Sequence, residues 1–93
     1  MKIDNLEIQN PLALGPMAGV TDLPFRLLCK EQGCGILYSE MVSAKAILYN
    51  NKKTKDLLAI DEDEHPIGIQ LFGSDPDIMA EIAGRVSYGA CDF

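Results

Sequence analysis

The sequence has few of the residues and segments from which secreted and membrane proteins are built. Its three cysteines are odd in number and show no C-x-x-C spacing, which argues against a disulfide framework and against a zinc site. The longest nearly apolar stretch, residues 12–20, is interrupted by Gly15, Pro16 and Gly19, and the first residues contain no apolar signal-peptide core. We therefore expect a cytoplasmic protein with no membrane partner and no metal.

Positive charge and catalytic constellations are also scarce. The sequence carries 14 acidic and 8 basic residues, a net charge of −6, so a nucleic acid would have to be bound by cations outside it. We interpret the only basic cluster, Lys45, Lys52, Lys53 and Lys55, as a solvated helix face, with a phosphate contact as the weaker alternative. The single histidine, His65, precedes a predicted strand, at the end opposite the expected ligand site. No nucleophile–base set, carboxylate pair or glycine-rich phosphate loop can be assembled, so we assign no catalytic residue.

What the sequence does contain is an alternation of short apolar strands and amphipathic helices. Strands are predicted at residues 12–15, 35–39 and 67–73, with the start of a fourth at 91–93. Helices are predicted from a cap at Thr21 or Asp22 to Gly33, and over residues 43–50, 52–58 and 75–88. A hairpin over residues 2–9 and a solvated acidic loop over residues 61–64 complete the prediction.

This alternation is typical of a parallel α/β protein with right-handed crossovers. A closed (β/α)8 TIM barrel needs about 250 residues. We therefore expect residues 1–93 to be the N-terminal part of one such domain, incomplete, with the first three βα units and an end at the start of strand four. An open parallel sheet leaves unpaired edges, so self-association is expected as well.

Ligands of parallel α/β folds bind at the carboxyl ends of the strands, which here are residues 16–19, 39–42 and 70–73. The small residues of the first exit would let a flat ring lie on the backbone, although spacing alone favours a tight strand-to-helix turn as their explanation. Gln70 offers amide donors and an acceptor that match the imide edge of a flavin, and bonding to neighbouring backbone is the alternative. Glu40 is a weaker ligand candidate, because a loop carboxylate usually bonds nearby amides.

Four segments resemble the bacterial tRNA-dihydrouridine synthases, most closely their B-type branch. GPMAGVTD at residues 15–22, followed by PFR at 24–26, is similar to the opening motif of that family. The later segments are similar in order and spacing: SEMVSAK at 39–45, NKKT at 51–54 and QLFGSDP at 70–76. The resemblance extends from Ile8 to Phe93, and four motifs in register are more specific than one.

The resemblance implies an FMN-dependent TIM-barrel oxidoreductase that reduces uridine to dihydrouridine in tRNA, with NADPH as reductant. It places the cofactor-binding residues Pro16, Met17 and Ala18 against the isoalloxazine, and Gln70 at its pyrimidine edge. The family's general acid is a cysteine in an Asn-x-Gly-Cys-Pro loop after strand four, which none of the cysteines here matches. We therefore expect the flavin-binding portion of the enzyme, inactive alone, with tRNA bound through parts absent from the chain.

Two other functions stay open at this point. The chain is alternatively part of another FMN-dependent barrel, such as a dihydroorotate or nitronate oxidoreductase, or a small stand-alone α/β module whose role is association. An Asn-x-Gly-Cys-Pro motif soon after Phe93 in the gene would support the synthase, and a natural stop codon there would support the module.

Overall fold

A β-hairpin opens the chain. The structure is a computed structural model that describes residues 1–89 and 91–93. β1 (Lys2–Ile3) and β2 (Leu6–Glu7) pair antiparallel, and Asp4 between them has a left-handed φ of 53°. An aspartate tolerates this conformation in a tight turn. The predicted hairpin is therefore confirmed.

Parallel pairing organises the rest of the chain. β3 (Leu37–Tyr38) pairs with β5 (Ile67–Gly68), and β4 (Val42–Ser43) pairs with β6 (Leu71–Phe72), both in parallel. Ala13 adds a parallel bridge to Ile36. The strand segments thus lie side by side in chain order, which confirms the predicted parallel α/β arrangement.

The strands are shorter than predicted. The strand expected at residues 12–15 is reduced to the bridge at Ala13, and the one expected at 67–73 is divided into β5 and β6. Between β5 and β6, the backbone N–H of Gln70 donates to the Ser39 hydroxyl at 3.0 Å. A side-chain oxygen thus takes the place of the backbone carbonyl that would accept this bond in a continuous strand. The strand start predicted at residues 91–93 is not formed, but the Asp92 backbone N–H donates to the Ile67 carbonyl at 2.9 Å, so these residues lie beside β5.

All the predicted helices are present, and local side chains explain where they begin. Each first turn donates a backbone N–H to a capping side chain. The helices and their caps are α1 (Leu23–Glu31, Asp22), α2 (Ala44–Leu48, Ser43), α3 (Lys52–Leu57, Asn51) and α4 (Pro76–Ser87, Asp75). Thr21, the alternative cap for α1, does not cap the helix.

The core lies between the parallel strands and the helices α2 and α4. Its fully buried members include Leu37 and Ile67 on the paired strands, Ala44 on α2 and Ile82 on α4. The apolar face predicted for α1 consists of Phe25, Leu27 and Leu28. Phe25 and Leu28 are 37% and 52% exposed and lie outside the core, and Leu27 is half-buried. The buried residue of α1 is instead Arg26. Among the described residues, no helix combines the length and the apolar character that crossing a membrane requires.

Two glycines give a matched test of this packing. A Cβ at Gly35 would overlap the Asn10 carbonyl, whereas a Cβ at Gly84 in α4 has no heavy atom within 4 Å. We expect Gly35→Ala to lower the free energy of unfolding by about 1–3 kcal/mol through overpacking. Gly84→Ala should raise it by about 0.5–1 kcal/mol, because alanine loses less backbone entropy in a helix. Urea unfolding of both variants measures the two changes, and shifts of the same sign would contradict the packing described.

Candidate functional site

The three strand exits meet at one edge of the structure. The Gly19 backbone N–H donates to the Glu40 carboxylate at 3.3 Å, which joins the first exit to the second. The Val42 N–H donates to the Gln70 carbonyl at 2.8 Å, which joins the second to the third. Glu40 thus accepts a hydrogen bond from a nearby backbone amide, as expected for a loop carboxylate.

Pro16 and Gln70 line the same cavity at this edge. The cavity is open, has a volume of about 360 Å³, and is completed by Tyr38, Ile69 and Phe93. The rings of Tyr38 and Phe93 pack edge to face, with centroids 5.5 Å apart. The structure therefore brings two of the four predicted cofactor-binding residues together around a largely apolar space.

Met17 and Ala18 do not line that cavity. They follow Pro16 in loop 16–21, which lies between the Ala13 bridge and α1. Residues 16–20 of this loop are all exposed, and Met17 is 62% exposed. The loop turns sharply there, and Gly19 has a φ of +78°, a conformation that favours glycine. A ligand over this loop would meet small residues and one flexible methionine side chain.

A buried threonine holds loop 16–21 in shape. The Thr21 hydroxyl accepts from the Met17 N–H and donates to the Met17 carbonyl, both at 3.1 Å. The N–H groups of Val20 and Thr21 also donate to that carbonyl, each at 3.0 Å. Thr21 is therefore a loop residue, and Asp22 caps α1.

Beneath the loop lies a buried ion pair that joins α1 to the segment before β5. Arg26 Nε donates to Glu64 Oε2 at 2.8 Å, and the two side chains are only 3% and 0% exposed. Arg26 Nη1 donates to the Thr21 carbonyl and Nη2 to the Ala59 carbonyl, each at 3.0 Å. The prediction of a solvated acidic loop over residues 61–64 is therefore wrong for Glu64.

The local part of this arrangement had a sequence signal. Residues 62–64 form a 3-10 helix (Glu62–Glu64) whose cap Asp61 pairs reciprocally with Glu64, so that Glu64 Oε1 accepts from the Asp61 N–H at 3.3 Å. An acidic cap followed three residues later by glutamate is the pattern of a capping box. The distant partner, Arg26, has no such signal, because the sequence shows only a cation between two apolar residues of a helix.

His65 lies at the opposite end of the strands from Gln70, as predicted. Its Nδ1 is 2.7 Å from Asp92 Oδ2, and the same oxygen accepts from the Ile67 N–H at 2.8 Å. Asp92 therefore connects the amino end of β5 to the last residues of the chain. Neither His65 nor Asp92 lines the cavity at Gln70.

The thiols and lysines lie outside the cavity. Cys91 donates to the Val86 carbonyl at 3.3 Å, and burial raises the pKa of its thiol, with the Asp92 charge adding to the shift. The described residues contain no group of three or more His, Cys, Asp or Glu side chains that could hold a metal. Within the same part of the chain, Lys45, Lys52, Lys53 and Lys55 are exposed on or beside α2 and α3 and form no salt bridge.

The residues around the cavity combine apolar side chains with the carboxamide of Gln70. The Gln70 side chain is exposed, and its carboxamide has no hydrogen-bond partner among residues 1–89 and 91–93, so its donors and acceptor are available. The bonding of this side chain to neighbouring backbone, the alternative raised by the sequence, is not observed within those residues. The volume lies within the range of small-molecule sites, about 300–1,000 Å³.

Comparisons with known proteins agree on one family. The family model for dihydrouridine synthase (Dus) matches residues 12–93. The chain is 43% identical to the tRNA-dihydrouridine synthase B of Pseudomonas aeruginosa over 91 residues, which are 97% of this chain and 27% of that protein. It is 40% identical over 91 residues to the tRNA-dihydrouridine synthase B of Pasteurella multocida, again 97% and 27% of the two chains. The chain therefore spans about a quarter of the length of these relatives.

Proposed function

Because this chain belongs to the dihydrouridine synthase family, we propose that it forms the flavin-binding part of an oxidoreductase that reduces uridine to dihydrouridine in tRNA. The two relatives compared above are both named tRNA-dihydrouridine synthase B. The single observation that carries the proposal for these residues is the cavity shared by Pro16 and Gln70 at the carboxyl ends of the strands.

FMN is the proposed cofactor, with NADPH as the reductant. When bound, FMN would supply the hydride that reduces the uracil ring. Pro16, Met17 and Ala18 would lie against the face of the ring system, since they offer little bulk or a flexible side chain. The Gln70 carboxamide would bond the polar edge, because it offers two donors and an acceptor at this cavity.

The fold proposed for these residues is the first three βα units of a TIM barrel. The order in space of the segments at Ala13, Leu37–Tyr38 and Ile67–Gly68 supports it, as do the hydrogen bonds of residues 91–93 to β5. The chain's net charge of −6 supports the further proposal that tRNA is bound largely by other parts of the protein. Self-association through an open sheet edge remains a prediction.

The 93 residues alone should have no synthase activity. None of Cys29, Cys34 and Cys91 lies in the Asn-x-Gly-Cys-Pro motif that carries the general acid according to the family resemblance. The Cys91 thiol also donates a hydrogen bond to the backbone of α4. Dihydrouridine produced from tRNA and NADPH by the purified 93-residue chain, measured by mass spectrometry of the digested nucleosides, would contradict this.

The proposal is tested with the natural protein that contains this sequence. It is purified, stripped of small molecules, titrated with FMN and followed by flavin fluorescence, and then incubated with NADPH and tRNA that lacks dihydrouridine. We expect saturable FMN binding and dihydrouridine formation. Parallel reactions with dihydroorotate and a nitroalkane separate the alternatives: turnover of either without tRNA modification would favour another flavin barrel. A protein that binds no FMN would overturn the flavin assignment altogether.

A further inference from the structure

The Arg26 guanidinium of the buried ion pair contacts three separate segments of the chain. The guanidinium reaches the Glu64 carboxylate, the Ala59 carbonyl before the 3-10 helix, and the Thr21 carbonyl at the base of loop 16–21. All three contacts are buried or partly buried. The pair therefore connects the candidate cofactor loop to the segment that leads into β5.

A continuous set of hydrogen bonds runs from the ion pair to the tip of the loop. Arg26 donates to the Thr21 carbonyl at 3.0 Å. The Thr21 hydroxyl accepts from the Met17 N–H and donates to the Met17 carbonyl. Glu64 is held in turn by the Asp61 N–H. Displacing Arg26 would remove the only side-chain bond to the Thr21 carbonyl among the residues that the structure describes.

Stability alone is a weak explanation for such a pair. The desolvation of two buried charges offsets much of their attraction, and well-packed apolar residues of similar volume are often at least as stable. What apolar residues cannot supply is a planar set of donors that bonds a carboxylate and two carbonyls at once. The donors of Arg26 are therefore suited to fixing the backbone at the base of loop 16–21.

We infer that Arg26 and Glu64 are positioning residues that hold loop 16–21 in the shape required for a planar cofactor ring to lie on it. The part of this inference that concerns the ring rests on the proposed function. The part that concerns the loop does not, because it follows from the bonds between Arg26, Thr21 and Met17.

The decisive variant is Arg26→Met/Glu64→Leu in the natural protein that contains this sequence. It removes both charges together and leaves no unpaired buried ion, so the fold should keep its cooperative urea transition. The Thr21 carbonyl nevertheless loses its donor. We expect amide hydrogen exchange at Val20 and Thr21 to become about tenfold faster or more, and FMN affinity to fall about tenfold.

The exposed pair Arg85–Glu81 provides a matched control. Its charged atoms are 2.7 Å apart, against 2.8 Å in the buried pair, but the side chains are 53% and 52% exposed on α4. Arg85→Met/Glu81→Leu should leave both the exchange of the loop amides and the FMN affinity unchanged. Equal loop exchange and equal FMN affinity in the Arg26→Met/Glu64→Leu protein and the wild type would overturn the inference.

A second variant, Arg26→Lys, keeps the inference testable if the double variant does not fold. Lysine retains the charge opposite Glu64, but its single ammonium cannot reach the Thr21 and Ala59 carbonyls together. Faster exchange at Val20 and Thr21 with a retained urea transition is expected, and unchanged exchange would overturn the inference. If the wild type binds no FMN, the proposed function fails, while the exchange result still decides whether the pair holds the loop.

Discussion

Glu64→Ala is expected to lower the free energy of unfolding by about 3–5 kcal/mol. The substitution leaves the Arg26 guanidinium, whose side chain is 3% exposed, without its counter-charge. It also removes the acceptor for the Asp61 N–H and so opens the capping box of the 3-10 helix. An uncompensated buried charge is one of the few causes of so large a change in a single substitution.

Urea unfolding followed by circular dichroism measures this loss. Glu62→Ala is the matched control, since Glu62 is exposed two residues earlier in the same 3-10 helix. The control should change the free energy of unfolding by no more than about 0.5 kcal/mol. A loss below about 1 kcal/mol for Glu64→Ala would mean that the pair is not buried as described.

Gln70→Ala is expected to weaken FMN binding about 5- to 150-fold. The carboxamide would make one or two hydrogen bonds to an uncharged edge of the ring, and losing them costs on the order of 1–3 kcal/mol. Gln70→Glu should bind more weakly still, because a carboxylate cannot donate to a ring carbonyl and opposes negative charge on the reduced ring. Flavin fluorescence titration of the purified variants measures both affinities.

His65→Ala is the control for that measurement. His65 contacts Asp92 at the amino end of β5, whereas Gln70 lines the cavity at the other end. Its substitution should leave FMN affinity within experimental error of the wild type. If Gln70→Ala and the wild type bind FMN equally, Gln70 does not belong to the site.

The features that the sequence predicted well are those decided within a few residues. Asp22, Ser43 and Asp75 cap helices because their side chains reach N–H groups in the next turn, so the helix starts are readable locally. The order of the parallel strands was also predictable, since short crossovers place consecutive strands side by side. The proximity of Pro16 and Gln70 follows from that order and from their position at strand ends.

The features that the sequence did not predict depend on contacts between distant residues. Arg26 and Glu64 are separated by 38 positions, and nothing near either residue identifies the other. The exposed apolar side of α1 was missed for a related reason: periodicity shows that a helix has an apolar face but not whether the described chain covers it. The division of residues 67–73 into two strands depends on Ser39, a residue of another segment.

The Ser39 hydroxyl has a consequence for thermal fluctuations at the strand exits. It accepts from the Gln70 N–H and donates to the Glu40 carbonyl at 2.9 Å, while the Glu40 carboxylate accepts from Gly19. The three exits are thus linked by side chains in addition to the backbone ladder. We therefore expect the displacements of the exits to be correlated, so that the distance between the cavity walls at Pro16 and Gln70 varies less than independent motion of the two segments would allow.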